Sequence, residues 1–346
     1  MPKKFKAAII GASGYSGAEL AGLLLKHPDV ELDTLMTVNQ DRQASTSRNY
    51  GEELRQFYRR SELEIAPLDF ERLVNRGIDV VFLATPNETS HELVPQLLEK
   101  NLRTIDLSGA YRLKQASLYP QWYGFDHRFP KLLDEAAYGL VEFNRDSIKK
   151  ARLVANPGCY PTSVLLPLIP LWRAGLVNPR QSIICDSKSG VSGAGKSPTA
   201  NTHFSEVTES FKAYNVLKHR HTPEIWQGLG TTDVLFTPHL LPINRGILST
   251  LYVPLIAGCN EDSVTRCLED QYAKEPFIRL FSSGTFPEIK FAAHSNFCDI
   301  GWKLDAGKSI VVMVSVIDNL VKGAAGQALQ NMNLMVGVNE TAGLMT

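Results

Sequence analysis

The sequence predicts an α/β protein whose first domain is built on a parallel sheet. Throughout residues 1–155, short apolar runs typical of buried strands alternate with amphipathic stretches typical of helices. Strands and helices that alternate in this way form βαβ units, in which the strands run parallel. A glycine-rich turn joins the first strand to the first helix, as in Rossmann-type domains. A chain of 346 residues is too long for one small core, so two domains are expected.

The glycine-rich turn is Gly11-Ala-Ser-Gly-Tyr-Ser-Gly17, and it lies between a strand predicted at Lys6–Ile10 and a helix that ends near Lys26. This spacing is a variant of the dinucleotide fingerprint, which lets the backbone approach a pyrophosphate on the helix N-terminus. A glycine turn without a ligand is the alternative. Because the motif lies between a strand and a helix, we interpret it as a dinucleotide-binding site.

The second strand, predicted at Val30–Val38, indicates which dinucleotide binds. NAD enzymes usually end this strand with an acid that binds the ribose 2′-hydroxyl, but here Asn39 follows. The next cations and hydroxyls suit a 2′-phosphate: Arg42, Ser45, Ser47 and Arg48. The segment therefore favours NADP(H), with a solvated polar loop as the alternative because Asp41 lies there too.

A strand at Asp79–Pro86, a helix at Glu88–Lys100 and a strand at Arg103–Asp106 continue the alternation. The last of these strands leads into Asp106-Leu-Ser-Gly-Ala-Tyr-Arg112. Ligands of open α/β sheets bind at the carboxyl ends of the strands. Arg112 is therefore a candidate for binding an anionic substrate, and a surface salt bridge is the alternative.

The turn Asn156-Pro-Gly-Cys-Tyr-Pro-Thr162 presents a thiol. The apolar run from Tyr160 to Leu176 predicts a buried helix, so Cys159 is expected in its first turn. Unpaired N–H groups and the positive end of the helix dipole favour the thiolate there and can stabilise an oxyanion. We interpret Cys159 as a nucleophile, with a small buried hydrophobic residue as the alternative.

The segment Gly190-Val-Ser-Gly-Ala-Gly-Lys-Ser197, which follows a strand predicted at Ser182–Asp186, matches the P-loop pattern. We interpret this match as false, because residues 198–203 carry no apolar helix face. The glycine-rich loop is instead expected near the cofactor's nicotinamide or a substrate phosphate. Lys196 could assist there or be merely solvated.

Two imidazoles and a carboxylate, from His219, His221 and Glu224, lie within one short segment. If that segment is extended, the two imidazoles lie on one side, where they suit acid–base chemistry. Glu224 could orient an imidazole or bind a polar group of the substrate. Metal ligation is the rival interpretation, but no third ligand stands at a recognisable spacing. His239 and Cys185 are interpreted as structural.

The rest of the chain predicts a second domain of the α+β class. Strands at Gly246–Ile256 and Lys308–Ile317, with a helix at Glu261–Lys274 between them, suit a mixed sheet covered by helices. Small residues after Asp318 predict a helix that returns to the first domain. The expected division is therefore residues 1–155 completed by residues 318–346, and residues 156–317.

Composition narrows the functional class to small-molecule chemistry. Lys and Arg together number 36, as do Asp and Glu, so no basic surface for nucleic acid is expected. No apolar run is long enough to span a bilayer and no signal peptide is recognised, so a cytoplasmic protein is expected. Five cysteines without a C-x-x-C pair predict reduced thiols and no structural zinc.

Six motifs in this order resemble those of the N-acetyl-γ-glutamyl-phosphate reductase family, the arginine-biosynthesis branch of the semialdehyde dehydrogenase superfamily. The likeness covers nearly the whole chain. The motifs are Gly11-Ala-Ser-Gly-Tyr-Ser-Gly17, Asp106-Leu-Ser-Gly-Ala-Tyr-Arg112, Asn156-Pro-Gly-Cys-Tyr-Pro-Thr162, Gly190-Val-Ser-Gly-Ala-Gly195, His219-Arg-His-Thr-Pro-Glu224 and Asp318-Asn-Leu-Val-Lys-Gly-Ala-Ala325.

The resemblance implies NADPH-dependent reduction of an acyl phosphate to a semialdehyde and inorganic phosphate through a cysteine thioester. Cys159 would be the nucleophile and His221 the general acid and base, with Arg112, His219 and Glu224 around the substrate. By the resemblance, the NADP(H) site would comprise Ser13, Gly14, Tyr15, Ser16, Thr85, Pro86 and Asn319. The patterns described above add Gly11 and Gly17 of the glycine turn, Arg42, and Ser192 and Gly193 of the second glycine-rich loop. A homodimer or homotetramer, assembled through the central catalytic domain, is also implied.

One segment departs from the family, and three rival functions stay open at this stage. Between about Gln40 and Arg60 the family's usual Ala-Gly-Lys-like loop and His-Pro element are absent, which leaves the 2′-phosphate contacts undefined. The nearest rival is another semialdehyde dehydrogenase, acting on aspartate semialdehyde or on a carrier-bound aminoadipyl or glutamyl phosphate. The others are a non-catalytic NADP-binding sensor and a P-loop phosphotransferase.

Overall fold

The computed structural model describes residues 4–38, 47–200 and 202–345. The chain divides into two compact units, one formed by residues 1–157 with 324–346 and the other by residues 158–323. Within the described residues, the structure contains no helix with the length and hydropathy that a bilayer crossing requires.

The first unit is organised around an eight-stranded sheet in the described part of the chain. Its strands are β1 Phe5–Ile10, β2 Val30–Thr37, β3 Arg48–Asn49, β4 Glu64–Pro67, β5 Val80–Leu83, β6 Arg103–Asp106, β7 Ala137–Tyr138 and β8 Leu153–Ala155. Its helices are α1 Tyr15–Leu24, α2 Tyr50–Glu53, α3 Phe70–Asn75, α4 Asn87–Glu99, α5 Tyr119–Tyr123, α6 Pro130–Glu135, α7 Val141–Lys150 and, from the chain's end, α13 Gly326–Val336.

The strand order is β3-β4-β2-β1-β5-β6-β8-β7, and every neighbouring pair except β3 with β4 is parallel. β1 is central, with Ile9 paired to Leu35 on one side and to Phe82 on the other. All three of these side chains are fully buried. This burial on both faces explains why the parallel strands read as continuous apolar runs in the sequence.

The second unit contains a seven-stranded mixed sheet among the described residues. Its strands are β9 Ile183–Gly190, β10 Lys212–Ala213, β11 Val234–Leu241, β12 Ile247–Pro254, β13 Ile278–Leu280, β14 Cys298–Asp305 and β15 Ile310–Ile317, in the order β10-β11-β9-β12-β15-β14-β13. Its helices are α8 Cys159–Arg173, α9 Phe204–Val207, α10 Thr222–Leu229, α11 Glu261–Tyr272 and α12 Ile289–Ala292.

Helix α8 lies in the core of the second unit, where it packs against α10, α11, β12 and β15. Residues 160–171 of this helix are all buried, as expected for a helix that is apolar on every side. The outward face of the sheet is different, because Ile184, Leu235 and Tyr252 are each more than two-fifths exposed.

The predicted fold class is confirmed, and most of the predicted elements differ from the observed ones only at their ends. The structure also contains strands that the sequence analysis did not predict, among them β4, β11 and β14. Strand β6 has the predicted bounds. Helix α8 stops at Arg173 rather than Leu176, because Gly175 adopts a left-handed conformation. β9 runs on to Gly190 instead of ending at Asp186. The helix expected from Asp318 begins as a π-helical turn at Val321–Ala325 before α13.

Candidate active site

The glycine-rich turn has the geometry of a phosphate cradle. Gly11 has φ +93°, and a Cβ there would lie 2.5 Å from the Ala84 carbonyl oxygen. A Cβ on Gly17 would lie 2.4 Å from the Gly11 carbonyl oxygen, so both glycines are required by close packing. Helix α1 starts at Tyr15 with no acidic residue in its first turn. These features suit an anion bound at the helix N-terminus.

A side chain that the sequence did not point to supports this cradle. Tyr50 is fully buried and its hydroxyl donates a hydrogen bond of 3.0 Å to the Ala12 carbonyl oxygen. Its ring stacks on Phe57 at 4.7 Å between centroids. An aromatic residue in a segment without regular periodicity carries no signal of such a contact, which explains why the sequence alone did not identify it.

The other residues assigned to the dinucleotide are only partly described. Arg42 lies outside the described residues, as do Asn39 and Ser45. Thr85 follows β5 at the carboxyl edge of the sheet, and its hydroxyl lies 2.7 Å from that of Ser90. Pro86 immediately precedes α4. Both residues therefore stand where ligands of parallel sheets bind.

Arg112 is buried, so the surface salt bridge considered from the sequence is wrong. Only 7% of the residue is exposed, and its Nε donates a 2.7 Å hydrogen bond to the Asn156 carbonyl oxygen. Its Nη2 donates a 2.8 Å hydrogen bond to the Leu107 carbonyl oxygen. The guanidinium thus joins the loop after β6 to the segment that leads to Cys159. Burial raises the pKa of the nearby Asp106 carboxyl group, although hydrogen bonds from Ser108 oppose this shift.

Cys159 is the first residue of α8 and is partly exposed, in contrast to the fully buried Cys185 and Cys298. The expectation of a thiol in the first turn of a helix is therefore confirmed. Burial raises the pKa of Cys185, which suits the structural role predicted for it. The residue before the helix, Gly158, donates its backbone N–H to the Glu224 Oε1 at 2.8 Å. Glu224 thereby fixes the turn that presents the thiol.

The two histidines lie in contact, but not through the extended conformation that the sequence analysis considered as one condition for it. His221 has φ −83° and ψ −10° and forms the N-cap of α10, which brings the His219 and His221 rings to 4.8 Å between centroids. Both rings also lie against Tyr160, at 5.4 and 6.0 Å respectively. The helical turn, rather than the alternation of a strand, therefore places them together.

Hydrogen bonds fix the tautomer of His219. The backbone N–H of His221 donates to His219 Nδ1 at 3.1 Å, so the proton of the neutral ring is on Nε2. Nε2 lies 3.4 Å from the Tyr214 hydroxyl, which donates to the Tyr160 hydroxyl at 3.3 Å. The Tyr160 hydroxyl in turn donates to the His239 carbonyl oxygen at 3.0 Å. Burial, together with the charge of Arg220, lowers the pKa of His219 to about 3.

The loop after β9 is joined to Asn319 within the second unit. The Asn319 side chain donates to Ser192 Oγ at 2.9 Å and accepts from the Gly246 N–H at 2.7 Å. A Cβ on Gly193 would lie 3.7 Å from the same amide nitrogen. Three of the predicted cofactor residues are therefore neighbours. In the described chain beyond Ser197, the next helix is the four-residue α9, which is too short for a P-loop.

Two family models cover most of the chain. The model described as semialdehyde dehydrogenase, NAD binding domain, matches residues 6–151, and the one described as semialdehyde dehydrogenase, dimerisation domain, matches residues 159–319. Three relatives are each called N-acetyl-gamma-glutamyl-phosphate reductase. The protein from Desulfotalea psychrophila is 47% identical, and those from Pelotomaculum thermopropionicum and Shouchella clausii are each 46% identical. Each alignment covers 98% of this chain and 97–98% of the relative.

The chain belongs to the N-acetyl-gamma-glutamyl-phosphate reductase family. As a member of this reductase family it contains a nicotinamide-dinucleotide-binding domain and a dimerisation domain. The solved structure of aspartate semialdehyde dehydrogenase II from Vibrio cholerae has a TM-score of 0.70 at 18% identity, and covers 97% of this chain and 99% of its own. The enzyme with NADP from Candida albicans has a TM-score of 0.69 at 14% identity, and covers 96% of this chain and 99% of its own. These likenesses show that the reductase family shares its fold with the aspartate semialdehyde dehydrogenases.

Proposed function

We propose that the chain catalyses the NADPH-dependent reduction of N-acetyl-γ-glutamyl phosphate to N-acetylglutamate 5-semialdehyde and phosphate, a step of arginine biosynthesis. The observation that carries the proposal is the coupling of three functional groups in the second unit. The partly exposed Cys159 begins α8, His221 caps α10, and Glu224 of α10 accepts the hydrogen bond from Gly158. A nucleophile and an imidazole are thus carried by two helices that pack together.

Cys159 acts as the nucleophile in the proposed reaction. Its sulfur attacks the acyl carbon of the substrate, the carbon–oxygen bond to phosphate breaks, and a thioester remains on the enzyme. His221 takes the thiol proton during this attack. The N-terminus of α8 favours negative charge both on the sulfur and on the oxygen of the tetrahedral intermediate.

A dinucleotide held by the glycine cradle would supply hydride, which a thioester carbonyl accepts far more readily than a carboxylate does. The carbon–sulfur bond then breaks, the aldehyde leaves, and His221 returns a proton to the sulfur. Arg112, a permanently charged guanidinium, is assigned to binding an anionic group of the substrate. His219 and Glu224 are also assigned to the substrate-binding site. His219 holds the backbone of His221, and Glu224 holds the turn before Cys159.

NADP(H) is the proposed form of the dinucleotide. The glycine cradle is the proposed site of the pyrophosphate, and this is supported by a turn before α1 that requires glycine at positions 11 and 17. The described end of β2 carries no acid, since its last residue is Thr37. The other residues assigned to the cofactor are Ser13, Gly14, Tyr15, Ser16, Arg42, Thr85, Pro86, Ser192, Gly193 and Asn319.

A homodimer formed through the outward face of the mixed sheet is proposed for the dimerisation domain. Strand register places Leu235 beside Ile184, Ile184 beside Tyr252, and Tyr252 beside Val312. This row of apolar side chains crosses four strands, and three of its members are 43–47% exposed. Exposed apolar patches of this kind are typical of protein–protein interfaces. A homotetramer is the alternative assembly.

The proposed function is tested by assaying NADP reduction with N-acetylglutamate semialdehyde and phosphate, with aspartate semialdehyde as the comparison substrate. The first substrate is expected to support turnover and the second to support little. Cys159→Ser is expected to abolish turnover and leave NADP binding intact, whereas Cys259→Ser, at another partly exposed cysteine, should be active. Near-full turnover by Cys159→Ser, or a preference for aspartate semialdehyde, would contradict the proposal.

A further inference from the structure

Two histidines of the first unit, His91 and His127, form a buried pair that the sequence motifs do not include. They are 3% and 8% exposed, and their rings lie 4.6 Å apart in an edge-on arrangement. Aromatic rings enclose the pair, with Tyr111 at 5.1 Å and Tyr119 at 4.6 Å from the His127 ring. Phe129 lies 5.0 Å from the His91 ring. Neither imidazole belongs to the group around Cys159.

Hydrogen bonds define the protonation of His127. The backbone N–H of Phe129 donates to His127 Nδ1 at 3.3 Å, so this nitrogen carries no proton. The remaining proton is on Nε2, which donates to the Ala110 carbonyl oxygen at 3.0 Å. Burial, with a contribution from the charge of His91, lowers the pKa of His127 to about 4. The neutral His127 ring therefore bridges two backbone groups, accepting a hydrogen bond at Nδ1 and donating one at Nε2.

His91 of helix α4 is held in the same way and binds the segment of residues 127–129. The Arg128 backbone N–H donates to His91 Nε2 at 3.0 Å, and His91 Nδ1 lies 3.1 Å from Glu92 Oε1. The Arg128 guanidinium pairs with that carboxylate too. The His91 carbonyl oxygen accepts a 2.8 Å hydrogen bond from the Tyr111 hydroxyl. Helix α4, residues 127–129 and the loop after β6 are thus joined.

The element held by this bridge is the loop that carries Arg112. Ala110 is fully buried, and its N–H donates to Ser108 Oγ at 3.1 Å. The N–H of Gly109 donates to Asn87 Oδ1 at 2.8 Å. His127 supplies the donor for the Ala110 carbonyl oxygen, two residues before Arg112. Because a buried carbonyl that loses its donor is costly, the loop would rearrange without this bond.

We infer that His127 is a positioning residue for the proposed reaction: through its bond to Ala110 it sets where the Arg112 guanidinium stands. The inference rests on the proposed function, because only that function makes Arg112 a substrate ligand. It acts on substrate binding and leaves the dinucleotide cradle unchanged. The expected signature is a higher KM for the acyl phosphate or for the semialdehyde, with an unchanged KM for the dinucleotide.

Two matched variants of His127 distinguish a positioning role from general packing, because each variant keeps one of the two backbone hydrogen bonds. His127→Gln retains an amide donor near the position of Nε2, so the bond to Ala110 can persist. His127→Asn retains an acceptor near the position of Nδ1, so the bond from Phe129 can persist while the bond to Ala110 is lost. We expect His127→Asn to raise the substrate KM about tenfold or more, and His127→Gln to change it by about threefold or less.

Hydrogen exchange of the backbone amides in residues 107–113 gives a readout that does not depend on turnover. Exchange is expected to be faster in His127→Asn and close to that of the unsubstituted chain in His127→Gln. Equal effects of the two variants, or the larger effect from His127→Gln, would overturn the inference. If the unsubstituted chain had no reductase activity, the proposed function would fail. The exchange pattern would still decide whether His127 holds the loop.

Discussion

The backbone amide of His221 donates a hydrogen bond to Nδ1 of His219, at 3.1 Å. This contact supports the different roles that the family resemblance implies for the two histidines. His219 is a neutral acceptor whose pKa is lowered to about 3 by burial, so it does not exchange protons near neutral pH. Its ring instead fixes the start of α10 and the position of His221.

The first prediction concerns this division of roles. His221→Ala is expected to lower kcat by about 10²–10⁴-fold, as for the loss of a general acid and base. His219→Asn keeps an acceptor near the position of Nδ1, whereas His219→Gln does not. The asparagine variant should therefore retain more activity than the glutamine variant. Neither substitution at His219 should shift the pH–rate profile. The prediction is checked by steady-state kinetics between pH 5.5 and 9, and a shifted profile in His219→Asn would contradict it.

The second prediction concerns Gly323, in the π-helical turn that lies against Cys159. A Cβ on Gly323 would lie 2.7 Å from the Cβ of Cys159, closer than real side chains approach. Gly323→Ala should therefore displace the thiol and lower kcat about tenfold or more, since small misplacements of reacting atoms are costly. Its thiol should also react at a different rate with iodoacetamide.

Gly22→Ala is the control for Gly323→Ala. Gly22 lies inside α1, and its Cβ would make only ordinary contacts, at 3.8 Å, with Phe57. Alanine is the better helix former, so this variant should be as stable as the parent or more so, and fully active. Equal losses of activity in both variants would show that the contact with Cys159 is not the cause.

The third prediction concerns stability at acid pH. The pKa of His127 is about 4 in the folded chain and near 6.5 when unfolded, because burial disfavours the charged ring. Between these values the unfolded chain binds a proton that the folded chain does not, so the free energy of unfolding falls as the pH falls. His219 adds to this effect. His127→Gln should reduce the slope of the free energy of unfolding against pH by up to about 1.4 kcal/mol per pH unit, which corresponds to one proton. Urea unfolding measured between pH 7 and pH 5 gives this slope. An unchanged slope would show that His127 does not titrate in this way.

The fourth prediction concerns assembly. Ile184→Glu places a charge in the middle of the exposed apolar row on the mixed sheet, and it is expected to convert the proposed homodimer into monomers. Val74→Glu, at another exposed apolar residue, belongs to α3 of the first unit and should leave the assembly unchanged. Light scattering after size-exclusion chromatography measures both. A dimer that persists in Ile184→Glu would locate the interface elsewhere.

The sequence was informative where local chemistry dictates local structure. The glycine spacing at Gly11 and Gly17 reflects contacts that exclude a Cβ, and the turn before Cys159 reflects a helix start. The pattern of apolar residues likewise predicted β1, β2, β5 and β6 of the first sheet and β9, β12 and β15 of the second. The other strands were not predicted.

Partners distant in sequence could not be predicted. Glu224 reaches Gly158 across 66 residues, and Tyr50 reaches Ala12 across 38. His127 was missed because a lone histidine beside aromatic residues has no pattern that distinguishes a bridge from packing. Such contacts depend on the tertiary fold, which a short window of sequence does not contain.

The carboxyl-terminal helix has a consequence for how the enzyme matures. Asn156 donates to the Ala324 carbonyl oxygen at 3.1 Å and accepts from Asn331 at 3.0 Å, so the chain leading to Cys159 is secured by residues from the far end of the sequence. Both anchors are translated after the segment that they hold. The turn before the thiol therefore reaches its final position only once residues 324–331 have been synthesised and have packed against it.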